Sequence, residues 1–219
     1  MRSRLLALVI GATTLFVGGT SMATATPTDL FFSEYVEGSS FNKAFEIYNG
    51  TGAMVPLAPE GYIVEMYFNG ATTPNLTIGL QGNLLDGDTY VVTNLSASLE
   101  LRALADQTTT ATNWFNGDDA VVLKRGGAGG TIVDVIGQVG FDPGTEWGGG
   151  LVSTFDHTLR RMPGVLTGDT AAGTPFDPSR TSAQARPATI QEARIGGLGL
   201  TLIRSACLQL RAAPAATAG

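Results

Sequence analysis

Residues 30–52 read LFFSEYVEGSSFNKAFEIYNGTG, two β-type runs on either side of a small polar turn. Phe32, Glu34 and Val36 alternate with Phe31, Ser33 and Tyr35, the period of a strand and not of a helix. Gly38-Ser39-Ser40 supplies the turn, and Phe45-Glu46-Ile47-Tyr48 is a second strand halted by Asn49-Gly50. The same pattern of short strand and polar turn runs through the rest of the body. In residues 61–68 (GYIVEMYF) both alternating faces carry apolar groups, as an interior strand requires, and Asn69-Gly70 is a hairpin turn signal. Residues 76–80 and Tyr90-Val91-Val92-Thr93 are further strands, and 120–124 and 131–140 flank the glycine-rich connection at 126–130. Only residues 98–106 have helical spacing, with Leu101, Leu104 and Ala105 on one face. Short strands, frequent turns and almost no helix are what an all-β sandwich requires.

The ends differ from this body. Arg2 and Arg4, an apolar run over 5–17 and Ala23-Thr24-Ala25 form the pattern of an export signal cleaved near Ala25. The run is shorter than the roughly 20 residues of a membrane span, so the mature chain is expected to be secreted or periplasmic without a transmembrane segment. Cys207 is the single cysteine, which rules out an intrachain disulfide. Between Thr26 and Ser179 six basic residues face eighteen acidic ones, whereas from Arg180 onward five arginines face Glu192 alone. An acidic body repels phosphate backbones, so autonomous nucleic-acid binding is not expected. After Ser179 the composition turns to alanine, arginine and proline, and no aromatic residue follows Phe176. The 180–219 segment reads as a disordered basic tail or, by preference, as the product of a shifted reading frame. The domain plan is thus a signal at 1–25, a sandwich at 26–179 and the tail.

The opening hairpin, the segment NWFNGDDAVVLKRGGAGGTIVDVIGQVG with Asp119 and a central Asp134, and FDPGTEWGGG and HTLRR further on resemble, in order, the lamin-tail domain family. The resemblance spans about 29–179. It implies an immunoglobulin-like sandwich and a non-catalytic interaction or targeting role. Segments of this kind also stand at the N-terminus of secreted bacterial nucleases, ahead of an endonuclease/exonuclease/phosphatase domain. The alternative is therefore the front part of such a nuclease, with a covalently linked catalytic domain as its partner.

The chemistry-bearing residues are few. His157, the single histidine, lies beside Asp156, and no G-x-S-x-G elbow accompanies it, so it reads as a loop residue. One histidine and one cysteine do not make a zinc site. Asp86-Gly87-Asp88 and Asn116-Gly117-Asp118-Asp119 are turn formers first. Asp118 and Asp119 are nonetheless the candidates for a weak calcium site, and with it for a calcium-dependent surface adhesin. Glu34 and Glu46 fall on adjoining strands, where an acid/base pair is weighed against a solvated face and the face preferred. Trp114, Phe115 and Trp147 lie in loops, where large rings anchor partners, and Arg160 and Arg161 add carboxylate or phosphate contacts. These five are the candidate partner-binding residues; the competing reading makes Trp147 a cap on the core and pairs the arginines internally. No cofactor is expected, and the partner is an unidentified protein or surface. The glycine runs at 126–130 and 148–150 lack the lysine and spacing of a phosphate cradle.

Overall fold

The computed structural model describes residues 26–183, so residues 1–25, where an export signal is expected, and residues 184–219 lie outside the described residues. In chain order the strands are β1 (Phe31–Glu37), β2 (Lys43–Tyr48), β3 (Val55–Pro56), β4 (Ile63–Tyr67), β5 (Leu76–Gly79), β6 (Asn83–Leu84) and β7 (Thr89–Asn94). The short helix α1 (Leu99–Leu104) comes next, then β8 (Gln107–Thr109), β9 (Ala120–Arg125), β10 (Thr131–Ile136), β11 (Gly148–Gly149), β12 (Val152–Ser153), β13 (Thr158–Arg161) and β14 (Thr181–Ala183). They build a six-stranded sheet in the order β14-β13-β1-β2-β7-β8 and a four-stranded sheet in the order β10-β9-β4-β5. All these pairings are antiparallel except β7–β8, which is parallel. The all-β sandwich read from the periodicity is the fold observed.

Between the sheets lies one continuous core. The larger sheet contributes Phe32, Tyr35, Phe45, Ile47, Tyr90, Val92 and Leu159, and the smaller contributes Val64, Met66, Ile78, Val121, Leu123, Val133 and Ile136. Burying each such side chain is worth roughly 1.5–3 kcal/mol, which is why alternate positions on every long strand are apolar. A second cluster sits outside the larger sheet, where Leu101 of α1 and Ala97 cover Val36, Ala44 and Val91. Ser98 caps that helix by accepting from Leu101 N at 3.3 Å.

In β1 the simple alternation fails, because the register slips between Phe32 and Glu34. Ser33 is the extra residue of a β-bulge. Phe32 pairs with Ile47 and Tyr35 with Phe45, so both point into the core, while Glu34 opposite Glu46 turns outward with Val36. Strict alternation would have put Phe32 and Glu34 on one face. A matching slip in β10 between Ile132 and Asp134 makes Val133 the extra residue there.

The larger sheet also extends past Ser179, where the sequence reading ends the sandwich. Asp177 accepts from Ser179 N at 3.0 Å and Ser179 Oγ at 2.7 Å, setting a 3-10 turn over Pro178–Arg180. That turn delivers Thr181–Ala183 to β13 as the edge strand, so residues 180–183 belong to the fold and not to a disordered tail. Among the described residues no helix is long and apolar enough to cross a membrane.

Candidate functional site

Cross-strand neighbours share a face, and on the outside of the larger sheet one row reads Arg160 (β13), Glu34 (β1), Glu46 (β2), Val91 (β7). Its two carboxylates are buried, Glu34 at 3% and Glu46 at 4% exposure. Arg160 Nε donates to Glu34 Oε1 at 2.6 Å, and Ser33 Oγ donates to Glu46 Oε1 at 2.6 Å. The second oxygen of each carboxylate and Arg160 Nη2 are buried without a hydrogen-bond partner. Burial raises the Glu34 carboxyl against the opposing pull of Arg160. Burial and then the Glu34 charge push Glu46 up to about 8, so at neutral pH Glu46 is mostly a carboxylic acid.

These groups form the floor of a groove of about 490 Å³. Its walls are apolar: Phe31 and Tyr48 from the strands, Pro27 before them, and Met162, Val165 and Leu166 from the chain leaving β13. Phe31 and Tyr48 meet edge-on with ring centroids 5.6 Å apart. Asp86 stands at the rim. Apolar walls over a few convergent polar groups with displaced titration are the usual make-up of a ligand site.

Arg161, one residue on from Arg160, faces the opposite way into the seam between the sheets. There Asp134 is fully buried. Its Oδ2 accepts from Phe32 N at 2.8 Å and from Arg161 Nη2, and its Oδ1 accepts from Val135 N at 2.9 Å and Asp169 N at 2.7 Å. Burial raises the Asp134 carboxyl, opposed by Arg161 and these backbone donors. Arg161 Nε donates to Phe32 O at 3.0 Å and its guanidinium lies 5.9 Å from the Phe31 ring centroid. Gly168 passes so close that a Cβ there would lie 2.6 Å from Asp134 Cβ.

The five residues singled out for partner binding do not share one surface. Trp114 is 8% exposed and stacks on Phe45 with centroids 5.6 Å apart, its Nε1 buried without a partner. Phe115 is fully buried against Tyr35 at 4.7 Å. Trp147 donates from Nε1 to Asp119 O at 3.1 Å and caps the sandwich over Gly137, where a Cβ would come within 2.7 Å of Nε1. Trp114 lines a second, more polar cleft of about 310 Å³ with Asn69, Asn94, Asn113 and Asn116. Arg160 alone lies on the groove floor; Arg161 touches the groove but is tied to Asp134. Sequence reading weighs Glu34 and Glu46 and misses Ser33, Tyr48 and the wall at 162–166. The available signal is a pair of acidic residues at facing positions of two otherwise apolar strands.

Asp119 commits both oxygens to the turn, accepting from Asn69 N and Asn116 N, each at 2.8 Å. Burial lifts it to about 6. Asp118 beside it is raised too, by burial above all. Among the described residues no three His, Cys, Asp or Glu side chains gather as a metal site. His157 Nδ1 lies 3.1 Å from Ser153 Oγ and 2.6 Å from Phe155 O. A carbonyl only accepts, so Nδ1 carries the proton and cannot take one from the serine. Ser153 is moreover fully buried.

A two-sheet immunoglobulin-like sandwich with an apolar-walled groove over a polar floor on an outer sheet face defines the chain as a β-sandwich module. More narrowly, it belongs to the lamin tail domain family, whose model matches residues 23–140. The matched stretch ends after β10, while β13 and β14, which carry Arg160 and the sheet edge, lie beyond it. No curated protein matches the chain.

Proposed function

We propose that this chain is an exported, non-catalytic interaction module that docks a partner through the outer-face groove of its larger sheet. The observation that carries the reading is the groove itself, with apolar walls over a floor of buried, incompletely bonded polar groups. Burying polar atoms without partners costs about 1–3 kcal/mol each, and three of them, Glu34 Oε2, Glu46 Oε2 and Arg160 Nη2, gather on this one floor. Export rests on the charged, apolar and small-residue order of residues 1–25. The non-catalytic part rests on geometry. The Ser153–His157 contact has the wrong tautomer for base catalysis, and the carboxylates of Glu34 and Glu46 are engaged by Arg160 and Ser33.

The test is site-directed photo-cross-linking of the protein secreted by its own host. A photoreactive residue at Val165, on the groove wall, is compared with one at Thr77, exposed on the smaller sheet. A discrete cross-linked species from position 165 and none from 77 is expected. Equal labelling from both positions, or none from 165, would overturn the docking assignment.

A further inference from the structure

The groove floor holds two buried carboxylates, Glu34 and Glu46, against the single guanidinium of Arg160, because Arg161 is already committed to Asp134. Each carboxylate keeps one buried oxygen without a partner. Above them the walls are hydrocarbon, from Phe31, Tyr48, Met162, Val165 and Leu166. Such a site suits a charged tip on an apolar stem, the chemistry of a long amphipathic side chain that buries its methylenes and pairs its head. A compact ammonium has three donors and fits a carboxylate pair without the planar fork of a guanidinium. The charge of the body, eighteen acidic residues against six basic between Thr26 and Ser179, favours a cationic partner as well.

We infer that the groove recognises a lysine side chain presented by a partner polypeptide, with the ammonium seated between Glu34 and Glu46 and its methylenes along the apolar walls. The inference rests on the groove being the docking site and adds the chemistry of what docks. It carries a proton balance. Without the ligand, the floor is neutral when Glu34 is ionised against Arg160 and Glu46 holds a proton. On binding, Glu46 gives that proton to solvent and the ammonium replaces it, so the floor stays neutral. Glu46 lies between Glu34 on β1 and Val91 on β7, with Ser33 and Thr89 close to its carboxyl. Arg160 and Arg161 on β13, Tyr48 on β2 and Asp86 before β7 complete the charged and titratable groups around the groove. Burial and the Glu34 charge, which set Glu46 near 8, make this proton exchange fall near neutral pH.

The probe is Nα-acetyl-lysine methylamide, titrated calorimetrically into the intact protein and compared with its Nε-acetylated neutral form. Measurement in two buffers of different ionisation enthalpy counts the protons released. Expected are millimolar-range binding of the lysine probe, at least about tenfold weaker binding of the neutral form, and release of close to one proton near pH 7. Affinity should rise about tenfold per pH unit between 6 and 7.5, following the linkage between proton and ligand. Glu46→Gln, isosteric with the protonated form, keeps the fold and should abolish both proton release and the pH dependence. Equal affinity for the neutral form, or pH-independent binding, would overturn the assignment. So would binding that appears only after residues 184–219 are removed, since the chain's own arginines would then be the occupant. A failed lysine titration beside a positive cross-link at position 165 refutes the lysine chemistry and leaves the docking face standing; failure of both removes the site.

Discussion

Arg160 and Arg161 are adjacent on β13, yet they serve opposite kinds of ion pair. Arg161 reaches into the seam between the sheets, where Asp134 receives four donors, two on each oxygen, and is fully buried. Arg160 lies on the outer face, where it serves Glu34 through one oxygen and leaves the other, along with its own Nη2, unbonded. The seam ties β1, β10, β13 and the 168–169 segment together, and a carboxylate whose acceptor sites are all occupied has nothing left to offer a ligand. The outer row is incomplete in a groove open to solvent. Buried polar groups that are completely satisfied fix a fold, whereas an unpaired one is costly in a low-dielectric surrounding. On the proposed docking role, these two residues one step apart divide stability from recognition.

The largest expected effect is on the seam. Asp134→Ala removes the acceptor of the Phe32, Val135 and Asp169 backbone N–H groups, and strands the Arg161 guanidinium at 7% side-chain exposure. Breaking a buried pair in this way costs about 3–5 kcal/mol, to be read from urea denaturation at pH 7. A loss under about 1 kcal/mol would mean that the seam is no more structural than the groove.

Next in size, and opposite in sign, is Glu46→Gln. The folded-state value near 8 stands above the ordinary 4.5, so Glu46 favours the folded state only while protonated. Its contribution is complete below about 4.5 and is lost as pH rises towards 8. Glutamine cannot ionise. The variant should therefore match the parent at pH 4 and become more stable by about 2–4 kcal/mol at pH 8.5. Thermal melts of both proteins across that range check it, and parallel curves would show that the floor does not titrate as its burial implies.

The period of a strand sets how much of this was legible. The hairpin, the longer strands and helix α1 are readable because apolar residues two apart, or three and four apart, mark one buried face. The bulges are not. One extra residue at Ser33 or Val133 leaves no compositional mark, yet it decides that Glu34 faces outward and Phe32 inward. Grouping Arg160 with Arg161 overlooks the rule that adjacent strand residues point to opposite faces. The aromatic candidates mislead for another reason. Trp114 and Phe115 sit in a loop by sequence, and in the structure their rings are part of the core. The groove wall at 162–166 depends on the path the chain takes after β13, which no local pattern encodes.

The smallest effect expected is Arg160→Gln, and it is the sharpest check on the contrast. Arg160 is about a quarter exposed, with a side-chain relative exposure of 24%, so solvent screens part of its attraction for Glu34. Glu34 can also answer the loss by taking up a proton, an escape that Asp134, held by three backbone donors, does not have. Arg160 lowers a carboxyl that burial has raised, so removing it lifts Glu34 further. The cost should be negligible below about pH 4.5, where the carboxyl is protonated in both folded and unfolded chains, and grow only as pH rises. At pH 7 it should stay near 1 kcal/mol, several times less than Asp134→Ala. Denaturation of Arg160→Gln at about pH 3 and at pH 7 decides the point. A cost at pH 7 equal to that of the seam, or one that does not change with pH, would place both arginines in a single structural role and erase the distinction between them.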